Sequence, residues 1–222
     1  MNFELNLKGS IGKILLVSIF VLIIATIGCS AEGGASAGFN ANDSGYDEWS
    51  GVPVFTTDPA GDVPNPDEDI LEVKVANSPA DGGTKEVYFL MKVTGNPALQ
   101  GQYKASIVSI DCDGNGVDQE PHDRLVVYVP SEDQYYIMRG DQSEGFTGNA
   151  KDGQVVGEFI EWKVSLSDLP PDEKDSGQCT GNVKLLFATA DVTQYFTSTP
   201  GETQSKAIII DDAGSLKDWN IP

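Results

Sequence analysis

An all-β fold is expected of this chain: a two-sheet antiparallel β-sandwich, jelly-roll-like in outline, behind an N-terminal apolar signal or anchor helix. Two observations lead there. From Trp49 onward, apolar and polar residues alternate with period two in segment after segment, and Gly, Pro, Asn and Asp punctuate the segments. Beyond residue 29 no segment sustains the 3.6-residue period of an amphipathic helix. The organisation that follows is a signal or anchor over 1–29, a Gly-rich polar tether over 30–45, and a β-sandwich domain over 46–222.

Residues 14–28 form an apolar run behind Lys8 and Lys13, shorter than the roughly 18 residues of a bilayer span. That pattern is an export signal. Its Gly28-Cys29 ending resembles the lipobox of prokaryotic lipoproteins, which implies lipidation of Cys29, although Thr26 stands where that box prefers Leu, Val or Ile. Lys8-Gly9 before an apolar helix also resembles an archaeal pilin-type signal, cut after Gly9. An uncleaved anchor with Lys13 at the interface is the third reading. All three place residues 30–222 outside the cytoplasm, anchored at the cell surface or in the periplasm.

In the exported part, Leu71, Val73 and Val75 alternate with Glu72 and Lys74, and Val87, Phe89, Met91 and Val93 share one face of the next segment. Ile107 to Ile110 lies in another strand, and Leu125, Val127 and Val129 repeat the period. Ile160, Trp162, Val164 and Leu166 alternate with Glu161, Lys163 and Ser165; Val183, Leu185 and Phe187 follow, then Ile208 to Ile210. Ser167 to Pro171 has room for one helical turn. Trp162, Phe89, Val73, Leu185 and Phe187 are expected to be buried together.

Charge and cysteines narrow the function. The chain carries 14 Lys+Arg against 34 Asp+Glu; without residues 1–29 these fall to 12 and 33, a net charge of −21. So acidic a domain lacks the basic footprint of nucleic-acid binding. It suits divalent cations, high salt or plain solubility. Cys112 and Cys179, the remaining pair in an exported protein, read as a disulfide closing 66 intervening residues, with a stabilisation of about 3–4 kcal/mol.

The sharpest motif is Asp111-Cys112-Asp113-Gly114-Asn115-Gly116, which matches the first six positions of the calcium loop D-x-[DN]-x-[DN]-G. Side chains at positions 1, 3 and 5 of a tightly turning loop converge on one point, and the glycine permits the bend. Val117 would add its carbonyl, and Asp118 or Asp123 a closing carboxylate. Position 12, a bidentate Glu in an EF-hand, is His122, and the flanking segments read as strands, so the loop is not an EF-hand. The competing reading is a plain Asn-Gly hairpin turn. Asp58, Asp62, Asp67, Glu68 and Asp69 make a second acidic group, either a further metal site or solvated carboxylates.

Tyr46 to Gly51, Asp58-Pro59-Ala60-Gly61-Asp62 and Asp69-Ile70 together resemble the opening of DOMON/CBM9-like β-sandwich domains, and Glu161 to Leu169 is similar to their late strand and turn. The resemblance spans roughly residues 46–211. It implies the sandwich and a membership that includes carbohydrate-binding modules, haem- or sugar-binding domains and many surface proteins; fold is not function. Haem is disfavoured: of the axial candidates, Met91 is in register with core residues, His122 follows Pro121 in an acidic loop, and Met138 is the third. Sugar binding asks for an exposed aromatic platform, for which Tyr135, Tyr136 and Tyr195 are the candidates. Catalysis has little to draw on, with one histidine and neither G-x-S-x-G nor H-E-x-x-H. The expectation is a non-enzyme: a surface-anchored binding module for glycan or another cell-surface polymer, carrying structural calcium. The alternative is a structural subunit of a pilus-like filament or envelope layer.

Overall fold

The computed structural model describes residues 46–77, 86–117, 120, 122–132, 134–140, 148–150, 152–165, 179, 181–193 and 208–221. Segment 1–29 with Cys29, the tether 30–45, Asp118, residues 166–171, Tyr195 and Phe196 lie outside the described residues. No helix among the described residues is long and apolar enough to cross a membrane.

Twelve strands are described: β1 (Val54–Thr57), β2 (Ile70–Asn77), β3 (Glu86–Val93), β4 (Lys104–Asp111), β5 (Arg124–Val129), β6 (Gln134–Arg139), β7 (Gly148–Ala150), β8 (Asp152–Val156), β9 (Phe159–Ser165), β10 (Gly181–Asp191), β11 (Ile208–Asp212) and β12 (Lys217–Ile221). They form two antiparallel sheets. One has the order β1-β2-β3-β9-β8; the other runs β11-β10-β4-β5-β6-β7, with β12 also on β10. Sequence neighbours are sheet neighbours through β1–β3 and β4–β7, so the wrapping is by meanders rather than the paired Greek keys of a jelly roll.

The two inner faces meet in one core. Val73 and Val75 of β2, Phe89 and Met91 of β3, and Ile160 and Trp162 of β9 lie against Val108 and Ile110 of β4, and Leu185 and Phe187 of β10. Trp162, Phe89, Val73, Leu185 and Phe187 are each no more than 1 % exposed, as their alternation predicts. Phe89 is the hub, with ring centroids 5.7 Å from Trp162 and 5.8 Å from Phe187. At 25 cal/mol per Å² of apolar surface, each such ring contributes several kcal/mol to folding.

Both outer faces are covered as well. Trp49, in a 3-10 turn at Asp47–Gly51, packs with Val52, Ala76, Tyr88 and Leu90 over the first sheet. On the second, Leu125, Val127, Val129 and Met138 form a separate buried cluster with Ile107 and Ala105. The β5 alternation therefore marks a strand but selects its outer side; Val126 and Tyr128 point to the core. All six β5 residues are buried, so periodicity alone has no polar face to orient it.

Candidate metal centre

The acidic loop lies between β4 and β5, at the end of the sheet where β10 begins. Gly114 and Gly116 take φ of 70° and 93°, the left-handed region that glycine enters without strain, and this lets the chain reverse within a few residues. Lys184 on β10 donates through Nζ to the Gly114 carbonyl. The Cys112–Cys179 disulfide is formed and ties the loop to the start of β10.

Inside the loop the motif residues bond mostly to each other. Asp111 is fully buried and accepts the Gly116 amide on Oδ2 at 2.7 Å and the Asn115 amide on Oδ1 at 3.2 Å. Asp113 accepts the Asn115 amide at 3.0 Å. The Asn115 side-chain oxygen accepts from the Val117 amide, while its nitrogen donates to Asp113 and to Glu120. Asp123, also fully buried, accepts the Cys112 amide on Oδ1 and the Glu120 amide on Oδ2.

The group that converges is not the sequence set as a whole. Asp113, His122 and Asp123 offer ligand atoms all within 4.8 Å of one another. His122 Nε2 stands 3.1 Å from Asp113 Oδ2, 3.6 Å from Glu120 Oε2 and 3.8 Å from Asp123 Oδ1. Asp111 and Asn115 hold the loop's backbone through the Asn115, Gly116 and Val117 amides. The Val117 side chain is exposed, and Asp118 lies outside the described residues. Sequence reasoning set His122 aside because it fails the twelfth EF-hand position; only the fold of the loop brings it onto the carboxylates.

Crowded carboxylates perturb one another. Burial raises Asp111, against the amides of Gly116 and Gly114. Burial also pushes Asp113 up, but the Asn115 amide, Asp111 and His122 outweigh it and leave it below the usual range. Asp123 is pushed up to about 6 by burial, which the Glu120 and Cys112 amides only partly offset. A cation would relieve each of these groups by supplying the missing charge.

The second acidic group divides. Asp58, Asp62 and Asp211 bring ligand atoms within 4.8 Å of one another, and Asp211 on β11 has no counterpart in the sequence reading. Asp67 belongs elsewhere: its Oδ1 accepts the Asn96 amide and its carbonyl accepts from Gln100, so it holds the loop after β3. Asp69 accepts the Gly61 amide and the Thr94 hydroxyl on Oδ2.

The aromatic candidates are corrected in part. Tyr135 is buried in the core, stacked on Tyr128 at 4.5 Å, so it is no sugar platform. Its ring lies so close to Gly153 that a Cβ there would fall 2.1 Å from it, which explains the glycine on β8. Tyr136 is half-buried against the outer cluster, and no aromatic side chain among the described residues is exposed. Met91 fills the core and Met138 the outer cluster, with His122 in the acidic loop. No protein family, curated protein or solved structure matches this chain.

Proposed function

We propose that this chain is an exported, membrane-tethered binding module for a glycan or another cell-surface polymer, and that a calcium ion in the Asp111–Asp123 loop is part of its stability. The observation that carries the metal half is the convergence of Asp113, His122 and Asp123 in a loop stapled by Cys112–Cys179. The disulfide supports an oxidising compartment, in keeping with the signal-like segment ending at Cys29. The resemblance to DOMON/CBM9-like domains supports the polymer partner. Tyr195, which lies outside the described residues, and the half-buried Tyr136 stay the aromatic candidates for contact with that partner.

Calcium is held by six to eight oxygens at 2.3–2.6 Å. Asp113 and Asp123 would supply carboxylate oxygens, Asp111 and Asn115 the loop's shape, and His122 would swing aside. A ligand that binds only the folded state stabilises it by about 2.7 kcal/mol at a hundredfold excess over Kd. For a domain of this size that is a melting shift of roughly 5–10 °C. EDTA should therefore lower Tm by that amount. Asp113→Ala should reproduce most of the loss without chelator, because this half-exposed side chain contributes little packing. Unchanged melting in both experiments would reduce the loop to a hairpin turn.

The position of His122 favours a second reading, in which the same pocket takes a borderline metal such as Zn²⁺ through imidazole and carboxylates. His122→Ala separates the two: it abolishes a Zn²⁺ response and leaves a Ca²⁺ response intact. Mass spectrometry of the mature N-terminus tests the tether. Lipidated Cys29 supports the module, and a new terminus at Ser10 would favour the filament subunit. Glycan-array binding then tests the partner.

A further inference from the structure

The seam where the edges of the two sheets meet holds a carboxylate cluster that the Asp111–Asp123 loop does not use. Asp58 directly follows β1, Asp62 lies in the β1–β2 loop, Asp69 directly precedes β2, and Asp211 and Asp212 end β11. The seam is tightly sewn. Ile70 donates its amide to Asp211 Oδ2 at 2.7 Å, Thr189 on β10 donates its hydroxyl to the Glu68 carbonyl, and Thr56 donates to the Ala213 carbonyl. Register shifts fall at Ile70/Glu72 and at Thr189/Ala190, beside the cluster. Bulges of this kind re-aim side chains, and here Asp211 is turned inward, 6 % exposed, while Ile208 and Ile209 before it face solvent.

Two carboxylate oxygens in this cluster lack partners. Asp69 is 1 % exposed and its Oδ1 is buried with no hydrogen bond; Asp58 Oδ2 is buried and likewise unpaired. Among the described residues none of the five aspartates pairs with a Lys or Arg. A buried, unpaired carboxylate is among the most expensive groups a fold can carry. The oxygens of Asp58, Asp62 and Asp211 already stand within 4.8 Å of one another, and the exposed Asp62 leaves the group open to an entering ion.

The geometry points to a divalent-cation site of Asp58, Asp62 and Asp211, backed by Asp69, that takes Ca²⁺ and clamps the β1–β2 loop to β11 across the two sheets. The donors are all oxygens, with no imidazole or thiolate, which selects a hard cation over Zn²⁺. The site is independent of the first: Asp211 is paired with Thr189 and Asp111 with Lys184, five positions or about 17 Å apart along β10.

The test is a calorimetric Ca²⁺ titration of the full chain in detergent micelles after chelator treatment, in an Asp113→Ala background that disables the first loop. One Ca²⁺ per chain is expected to remain. Asp62→Asn, at an exposed and nearly isosteric position, should weaken it roughly tenfold or more, since one charged ligand is lost. Asp211→Asn should abolish it, and Asp62→Asn keeps the test decisive if that variant misfolds. If the folded Asp113→Ala protein binds no Ca²⁺ while the wild type binds one, the seam site is overturned and the loop reading stands. If Asp62→Asn binds as tightly as its parent, the seam site is overturned too. Binding that survives Asp113→Ala and is lost in Asp62→Asn establishes the seam and sinks the loop as the only metal centre.

Discussion

Trp49 and Trp162 are both buried, yet their indole nitrogens meet different surroundings. Trp49 Nε1 donates to Glu161 Oε1 at 2.9 Å, and Gln154 donates to the other carboxylate oxygen at 2.8 Å. Trp162 Nε1 is buried with no hydrogen bond, inside the apolar core. Glu161 looks in sequence like the solvent-facing member of an alternation, and it becomes a fully buried acceptor because the Asp47–Gly51 turn folds over its sheet. Removing a partner from a buried carboxylate costs about 1–3 kcal/mol, whereas Trp162→Phe removes volume but no hydrogen bond. A double-mutant cycle of Trp49→Phe and Glu161→Met, read by urea unfolding, should return a coupling of about that size, because Met, unlike Gln, leaves no oxygen to accept the indole N–H. Coupling near zero would mean that the turn is held by packing alone.

At the level of elements, β10 organises the second sheet: it is 11 residues long and pairs with β4, β11 and β12. The disulfide sits where β4 leaves off and β10 begins, next to the Lys184–Asp111 register pair, so it closes a pairing that the ladder already specifies. Its contribution is then chiefly to the unfolded chain, where a bridge across 67 positions removes about 4 kcal/mol of loop entropy. The Cys112→Ser/Cys179→Ser protein should fold to the same β spectrum and lose stability by roughly that amount. Non-reducing peptide mapping that finds two alkylatable thiols in the wild type would end the claim. Pattern reading did not name β1, β6, β7, β8 or β12, and for β1, β8 and β12 the cause is shared. β1 has four residues, β8 begins Asp-Gly, and β12 buries only Trp219 and Ile221. Each is too short or too polar to show a period of its own.

Across the whole molecule, the chain's charge of −20 includes a few carboxyls whose ionisation burial and crowding oppose. Asp58 is pushed up to about 6 by burial and then by Asp211, Asp62, Asp212 and Asp69, and Asp123 reaches about 6 by burial. A carboxyl raised on folding binds more protons in the native than in the unfolded state between its two pKa values. Its contribution is therefore complete below about 4 and is lost as pH rises through about 6. Asp191 runs the other way: the Thr193 hydrogen bond and Lys104 lower it to about 2, so its contribution is already complete at pH 5 and does not blur the comparison. The metal-free protein should melt at a higher temperature at pH 5 than at pH 7.5, and saturating Ca²⁺ should shrink or invert that difference. A metal-free Tm that rises with pH over this interval would contradict the burial of these carboxyls.

The all-β class, the five residues at the centre of the core, the cysteine pair and the place of the acidic loop between two strands can all be read from the order of residues along the chain. These are local signals: period-two alternation, Gly-rich turns and cysteine count lie within a few residues of what they specify. Tertiary structure alone decided which side of β5 faces the core, that Tyr135 is interior, that Asp67 leaves the acidic group, and that His122 and Asp211 join clusters. Asp211 lies more than 140 positions from the aspartates it meets, and only sheet order, a register shift and the closing of two sheets bring them together. Ligand convergence depends on relative strand placement, which the packing of the whole sandwich sets and no single segment encodes.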